Sequence, residues 1–225
     1  MITKRIFLIF PPGCGGNHLA NMISLDDDVE DRIADIEKMK EYYSLSPNNV
    51  HPKLPDLFLG YQNLKVDVDK VNQATKTFII CSHAFEFASS LRSKTIPIDW
   101  IKDSVFILFT YPTEKTLGHN RMINHPAYKG EHPDTHKITI DNFLCEIETA
   151  YYPENFVRAW DNPAKPELET TNVFSFDTDR YLSETGFAYV TRFFNHLFDM
   201  SFKPDAKELH EIVYKNWANE NYFTN

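Results

Sequence analysis

This chain of 225 residues has no long apolar run. Nothing reaches the roughly eighteen consecutive apolar residues of a membrane-spanning helix, so the sequence encodes no such helix. Cysteine is sparse. Cys14, Cys81 and Cys145 form an odd set without a C-x-x-C pair, which argues against a disulfide framework and suits a reducing cytoplasm. Positive charge is in deficit, with 23 Lys and Arg against 32 Asp and Glu. The resulting net charge of −9 disfavours a general nucleic-acid surface and leaves room only for a local basic pocket around a small anion. No internal repeat or low-complexity tract is visible. The opening MITKRIFLIFPP loosely imitates a secretory signal, but its apolar run, Ile6–Phe10, leads into PPGCGG and not a small-x-small cleavage site. The expectation is a buried first strand in a cytoplasmic protein with no membrane partner.

Aromatic residues, by contrast, are plentiful: 18 Phe and 11 Tyr within a 42% hydrophobic composition give ample material for one core. A single domain over 1–225 is expected, with loop insertions near 44–66 and 124–137. Short, nearly continuous apolar runs at Ile6–Phe10, Thr77–Cys81, Val105–Thr110 and Val173–Phe176 read as strands of a parallel sheet covered on both faces. Helical spacing links Val29, Ile33, Ile36 and Met39 after an Asp26-Asp27-Asp28 start. A second stripe runs through Phe187, Val190, Phe193, Phe194, Leu197 and Phe198. A third, Leu209, Ile212, Val213 and Trp217, is opened by Asp205 and Glu208 in capping-box spacing. The fold class is α/β, a mainly parallel sheet between two helical layers.

Glycine is scarce too, yet three of the seven glycines fall within four positions, Gly13, Gly15 and Gly16. Strand, glycine loop and helix start form an arrangement that binds phosphate, because free amides and the helix dipole converge on an anion. The nucleoside-triphosphate form G-x-x-x-x-G-K-[ST] is absent, since Leu19 stands six residues after Gly13 and the loop holds no Lys. A second strand ends at Ser82-His83, and in a parallel sheet that end faces the same crevice. A His there can act as general base near neutral pH. His119, His125, His132 and His136 approach one another in sequence without a metal-ligand pattern beyond the bare His132-x₃-His136, and no metal is expected.

Taken together, these stretches resemble the sulfotransferase family, whose members use 3′-phosphoadenosine 5′-phosphosulfate as donor. Pro12-Gly13-Cys14-Gly15-Gly16-Asn17-His18-Leu19 lies in the frame of the family's P-K-S-G-T-T-x-L loop. Cys81-Ser82-His83 stands where the family has K-T-H, and Thr110-Tyr111-Pro112 where it has R-N-P. Val173 to Phe198 looks like its later strand and F-L-G-terminated helix. The resemblance runs over most of the chain, from Arg5 to Trp217. It implies a P-loop domain of three layers, with His83 as catalytic base. Gly13, Cys14, Gly15, Gly16, Asn17 and His18 would hold the donor's 5′-phosphate, and Thr110 would lie at its 3′-phosphate. The family's loop Lys is Gly13 here, its 3′-phosphate Arg is Thr110 and its helix Ser is Gly118. By position, His18 would stand in for the Lys and Arg121 would compensate for the missing Arg. The expected activity is sulfuryl transfer to a hydroxyl or amine on a small-molecule or glycan acceptor, chosen by the two insertions. A magnesium-dependent small-molecule kinase and a non-catalytic ligand-binding relative are the other readings.

Overall fold

The computed structural model describes residues 5–30, 35–45, 58–59, 68–93, 95–125, 137–151 and 172–219. Five parallel strands stand in the order β2-β3-β1-β4-β5: β1 (Arg5–Phe10), β2 (Phe58–Leu59), β3 (Phe78–His83), β4 (Ser104–Phe109) and β5 (Val173–Phe176). Both β1 and β4 are buried along their whole length, which accounts for their unbroken apolar sequence. Alternate residues feed two separate cores. Ile6, Leu8 and Phe10 face one layer, formed by α1 (Gly16–Ile23), α2 (Ile36–Leu45), α9 (Gly186–Phe198) and α10 (Pro204–Asn219). Phe7 and Ile9 face the other, formed by α3 (Val68–Gln73), α4 (Ala84–Arg92), α5 (Ile98–Asp103) and α7 (Ile140–Tyr151). Between β4 and β5, α6 (Leu117–Ile123) crosses the first face, and α8 (Thr178–Tyr181) follows β5 directly. The expected parallel α/β sandwich is therefore present, and among the described residues no helix is long and apolar enough to cross a membrane.

The path of the chain fixes where ligands gather. From β1 it runs over the first face to the β2 edge, then returns across the second face through β3 to β4 and β5. The direction reverses at β1, so the loop after β1 lies at the topological switch point, where open α/β sheets bind ligands.

Three local expectations are corrected. Val29 does not begin a helix. It forms an isolated bridge with Thr77, because Asp26 turns the chain by accepting the Asp28 amide at 3.0 Å and anchors it by accepting the Ser201 amide at 3.0 Å. The helix starts at Ile36, with Asp35 accepting the Lys38 amide, and runs to Leu45. Asp205 and Glu208 do not form a capping box. Asp205 already lies inside α10, and both carboxylates accept from the buried Lys40 ammonium, at 2.9 and 2.6 Å, tying α10 to α2. The insertion expected at 44–66 contains the edge strand β2, and its residues 46–57 and 60–66 lie outside the described set, as do 126–136 of the second insertion.

Candidate functional site

The carboxyl ends of β3, β1 and β4 lie side by side, and each carries a different chemistry. At the centre, the loop from Pro11 to Gly15 turns into α1. Gly13 and Gly15 have φ of +83° and +76°, a region that side-chain-bearing residues rarely enter. Gly15 is also boxed in, because a Cβ there would lie 2.9 Å from the Trp217 ring. A Cβ on Gly16 would enter the Phe10 ring. Glycine is thus required by conformation and fit at position 15, and by fit at position 16. The Cys14 amide closes the turn on the Pro11 carbonyl, while the amides of Gly15, Gly16 and Asn17 donate to no acceptor among the described residues. Gly13 and Asn17 are the members of this loop that are partly exposed. Cys14 is fully buried and its thiol is pushed far up by burial, so it stays protonated and packs as a small apolar group.

On one side stands His83, the last residue of β3 and the N-cap residue of α4, paired across the sheet with Phe10. The Phe10 and His83 rings meet in a T-shaped contact, with centres 5.3 Å apart and planes at 86°. Nδ1 of His83 lies 3.3 and 3.2 Å from the two carboxylate oxygens of Glu86, one turn into α4. Both side chains are largely buried, at 19% and 13% exposure. A carboxylate on Nδ1 fixes the tautomer and aims Nε2, the geometry of an imidazole base with its orienting acid. Glu86 escaped the sequence reading, although its position three residues after a strand-ending His, at a helix start that favours negative charge, marks it. His125 belongs to this neighbourhood as well. Burial pushes its pKa down to about 4, with further lowering from the charges of His83 and Arg121, so it is neutral at physiological pH.

Arg121 does reach inward from α6. Its Nε donates to the Gly13 carbonyl at 3.2 Å, and its guanidinium lies 3.8 Å from the centre of the Trp217 ring. This places a buried cation directly against the loop. His18, in contrast, is turned away. It is fully buried on the inner face of α1 among Tyr43, Tyr181, His210 and Trp217, with ring centres 5.4 to 6.3 Å apart. A side chain with no exposed surface in that position presents nothing to a ligand above the loop, so His18 does not take the place of the absent Lys. Tyr181 completes this wall by donating its hydroxyl to the Gly15 carbonyl at 3.1 Å.

On the far side, Thr110 directly follows β4 and is tied to Thr178. Its hydroxyl accepts the Thr178 amide at 3.2 Å and its carbonyl accepts the Thr178 hydroxyl at 2.6 Å. Gly118 packs against Pro112, Thr178 and Leu182. Beside them a cleft of about 870 Å³ opens between the β4–α6 connection, Ser175 of β5 and residues 137–141. Tyr111, His119 and Ile123 line it, and Ile123, at 42%, is an exposed large apolar side chain. Among the described residues no group of three or more His, Cys, Asp or Glu side chains converges as metal ligands, and His132 and His136 lie outside them. Compared with known proteins, the chain matches no family model and no curated protein.

Proposed function

We propose that this chain is a group transferase of the sulfotransferase type, acting at the carboxyl edge of its sheet with a nucleotide donor. The observation that carries the reading is the His83–Glu86 pair, held one strand away from a glycine loop in which the amides of Gly15, Gly16 and Asn17 have no acceptor among the described residues. The residues fit a donor's 5′-phosphate on two grounds: the unpartnered amides of Gly15, Gly16 and Asn17, and the cationic Arg121 against the loop. They do not offer a matching cradle for a 3′-phosphate at Thr110 and Gly118, where one side chain is an uncharged hydroxyl and the other is absent. A nucleoside phosphosulfate, when bound, supplies the sulfuryl group and departs as its 5′-phosphate.

The protein's own part follows from position. His83 takes the acceptor hydroxyl's proton on Nε2 while Glu86 steadies the imidazolium through Nδ1. The loop amides and Arg121 answer the negative charge that collects on the phosphate side, usually the largest electrostatic contribution to such a step. The loop holds neither Lys nor a hydroxyl; the missing Lys weighs against both reactions, and the missing hydroxyl for magnesium favours sulfuryl over magnesium-dependent phosphoryl transfer. The non-catalytic reading draws on Gly13, Thr110 and Gly118, which stand where the family has its Lys, Arg and Ser.

The test is thermal stabilisation by adenosine 5′-phosphate and adenosine 3′,5′-bisphosphate, with ATP and Mg²⁺ as comparison. A ligand at a hundred times its dissociation constant adds about 2.7 kcal/mol. Stabilisation by either phosphate but not by ATP–Mg²⁺ supports the reading, and stabilisation by none defeats it. Sulfuryl transfer lost in His83→Ala, with nucleotide stabilisation kept, separates catalysis from binding alone.

A further inference from the structure

Where the loop turns into α1, it has no side chain of its own to hold it. Gly15, at φ +76° and ψ +18°, is followed by Gly16, and neither residue hinders rotation of the peptide between them. In a trans peptide the carbonyl and the following amide point in opposite directions. Whatever holds the Gly15 carbonyl inward therefore holds the Gly16 amide outward. Two donors do so. The Leu19 amide bonds this carbonyl at 3.0 Å, opening the hydrogen-bond ladder of α1. The Tyr181 hydroxyl bonds it at 3.1 Å from α8, 166 residues away in the chain. The peptide before it has ties of its own, since Arg121 Nε donates to the Gly13 carbonyl and the Cys14 amide to the Pro11 carbonyl, each at 3.2 Å.

Tyr181 is built to hold a fixed direction. Its ring is fully buried and packed by Phe109 of β4, Phe176 of β5 and His18 of α1, with centres 6.1, 5.5 and 6.3 Å away. Packing on several sides locks the ring and with it the line along which its hydroxyl reaches. The ring also lies against the loop, because a Cβ on Gly15 would stand 3.3 Å from Tyr181 Cε1. Burial pushes the phenol well above its usual pKa, so it keeps its proton and remains a donor. Without this hydroxyl the peptide between Gly15 and Gly16 is held by Leu19 alone. A turn of that peptide exchanges an outward N–H for an outward carbonyl, and an anion is then met by the wrong end of a dipole.

We infer that Tyr181 is a positioning residue of the anion site, whose hydroxyl acts through the Gly15 carbonyl to aim the Gly16 amide at a phosphate on the loop. This rests on the transferase reading above and gives the segment after β5 a part in that site.

The experiment is calorimetric titration of the full chain with adenosine 5′-phosphate and with inorganic phosphate. It is run on wild type, on Tyr181→Phe and on Tyr189→Phe. The last is the control: the Tyr189 hydroxyl accepts the Asp177 amide at 2.8 Å, so the variant loses a phenol hydrogen bond elsewhere on the same core. Tyr181→Phe is expected to weaken both probes about tenfold, equivalent to ~1.4 kcal/mol, while Tyr189→Phe binds as wild type does. The Gly15 carbonyl keeps its Leu19 bond, so Tyr181→Phe orphans no acceptor, and its melting temperature stays near wild type. Amide hydrogen exchange gives a readout without ligand. Protection of the Leu19 amide falls in Tyr181→Phe, while that of Ser24, bonded to the Ala20 carbonyl at the far end of α1, is unchanged. Wild-type affinity in Tyr181→Phe, an equal loss in Tyr189→Phe, or unmoved Leu19 protection overturns the inference and leaves the transferase reading standing. Binding of neither probe by wild type removes that reading and the inference together.

Discussion

Two histidines stand close to the same glycine loop, and they have opposite environments. His18 lies beneath it in a column of rings, stacked on His210 at 5.8 Å with planes 17° apart, and His210 in turn stacks on Tyr214. His83 lies beside the loop with a carboxylate on Nδ1 and part of its ring exposed. The first setting is walled by rings, and there burial alone pushes His210 down to about 4. The second compensates a developing positive charge with Glu86. One residue type, placed on two sides of one glycine loop, packs as core in one case and pairs with a carboxylate in the other, and the surroundings decide which.

The sharpest way to test this contrast is to remove each side separately. His83→Ala is expected to lower transfer by roughly 10²- to 10⁴-fold, the usual worth of a general base, while the melting temperature stays near wild type. Trp217→Ala should do the reverse. This ring is 2% exposed and touches the loop, Arg121 and His18, so its removal costs about 3–5 kcal/mol in a denaturant titration. Equal stability losses in the two variants would erase the contrast.

The buried column also has a pH signature. His210 titrates near 6.5 when unfolded and at about 4 when folded, so between these values the unfolded chain binds more protons. Its contribution is present in full above pH 6.5 and is lost as pH falls towards 4. The loss amounts to about 3 kcal/mol, since each tenfold change in proton affinity is worth ~1.4 kcal/mol. Comparing the pH dependence of unfolding in wild type and His210→Phe isolates this contribution, because other groups titrate in both. A His210→Phe variant with unaltered acid sensitivity would show that the column is not where the protons go. The smallest effect is expected for Glu86→Gln, which keeps an acceptor on Nδ1 but removes the charge. Transfer should fall about tenfold, equivalent to ~1.4 kcal/mol in the barrier, with unfolding unchanged.

Much of the sheet can be read directly from the residues. Runs such as Ile6–Phe10 are apolar throughout because both faces are covered, and β5 has the bounds that its own apolar run predicts. The two-residue β2 has too little sequence for a period to emerge. Val29 shows how spacing misleads: it is buried at a helical interval from Ile33 and Ile36, yet it is held by a bridge to Thr77 that no local pattern reveals. At the site, the inward reach of Arg121 follows from its place on α6, and the position of His83 from the strand before it. The burial of His18 does not follow, because it depends on α10, almost two hundred residues later, laying Trp217 and His210 against α1. Glu86 is legible in principle from its spacing to His83.

The proposed transferase would hold its donor's phosphate on the loop after β1, with its general base, His83, at the end of β3. The most direct measurement is a ¹H–¹⁵N correlation titration of the labelled chain with adenosine 5′-phosphate. The expected result is that the amides of Gly13 to Asn17 shift together, with one saturation curve, and that His83 responds less strongly. Shifts confined to the cleft, or centred on the ring column around His18 and His210 with the loop amides unmoved, would contradict it.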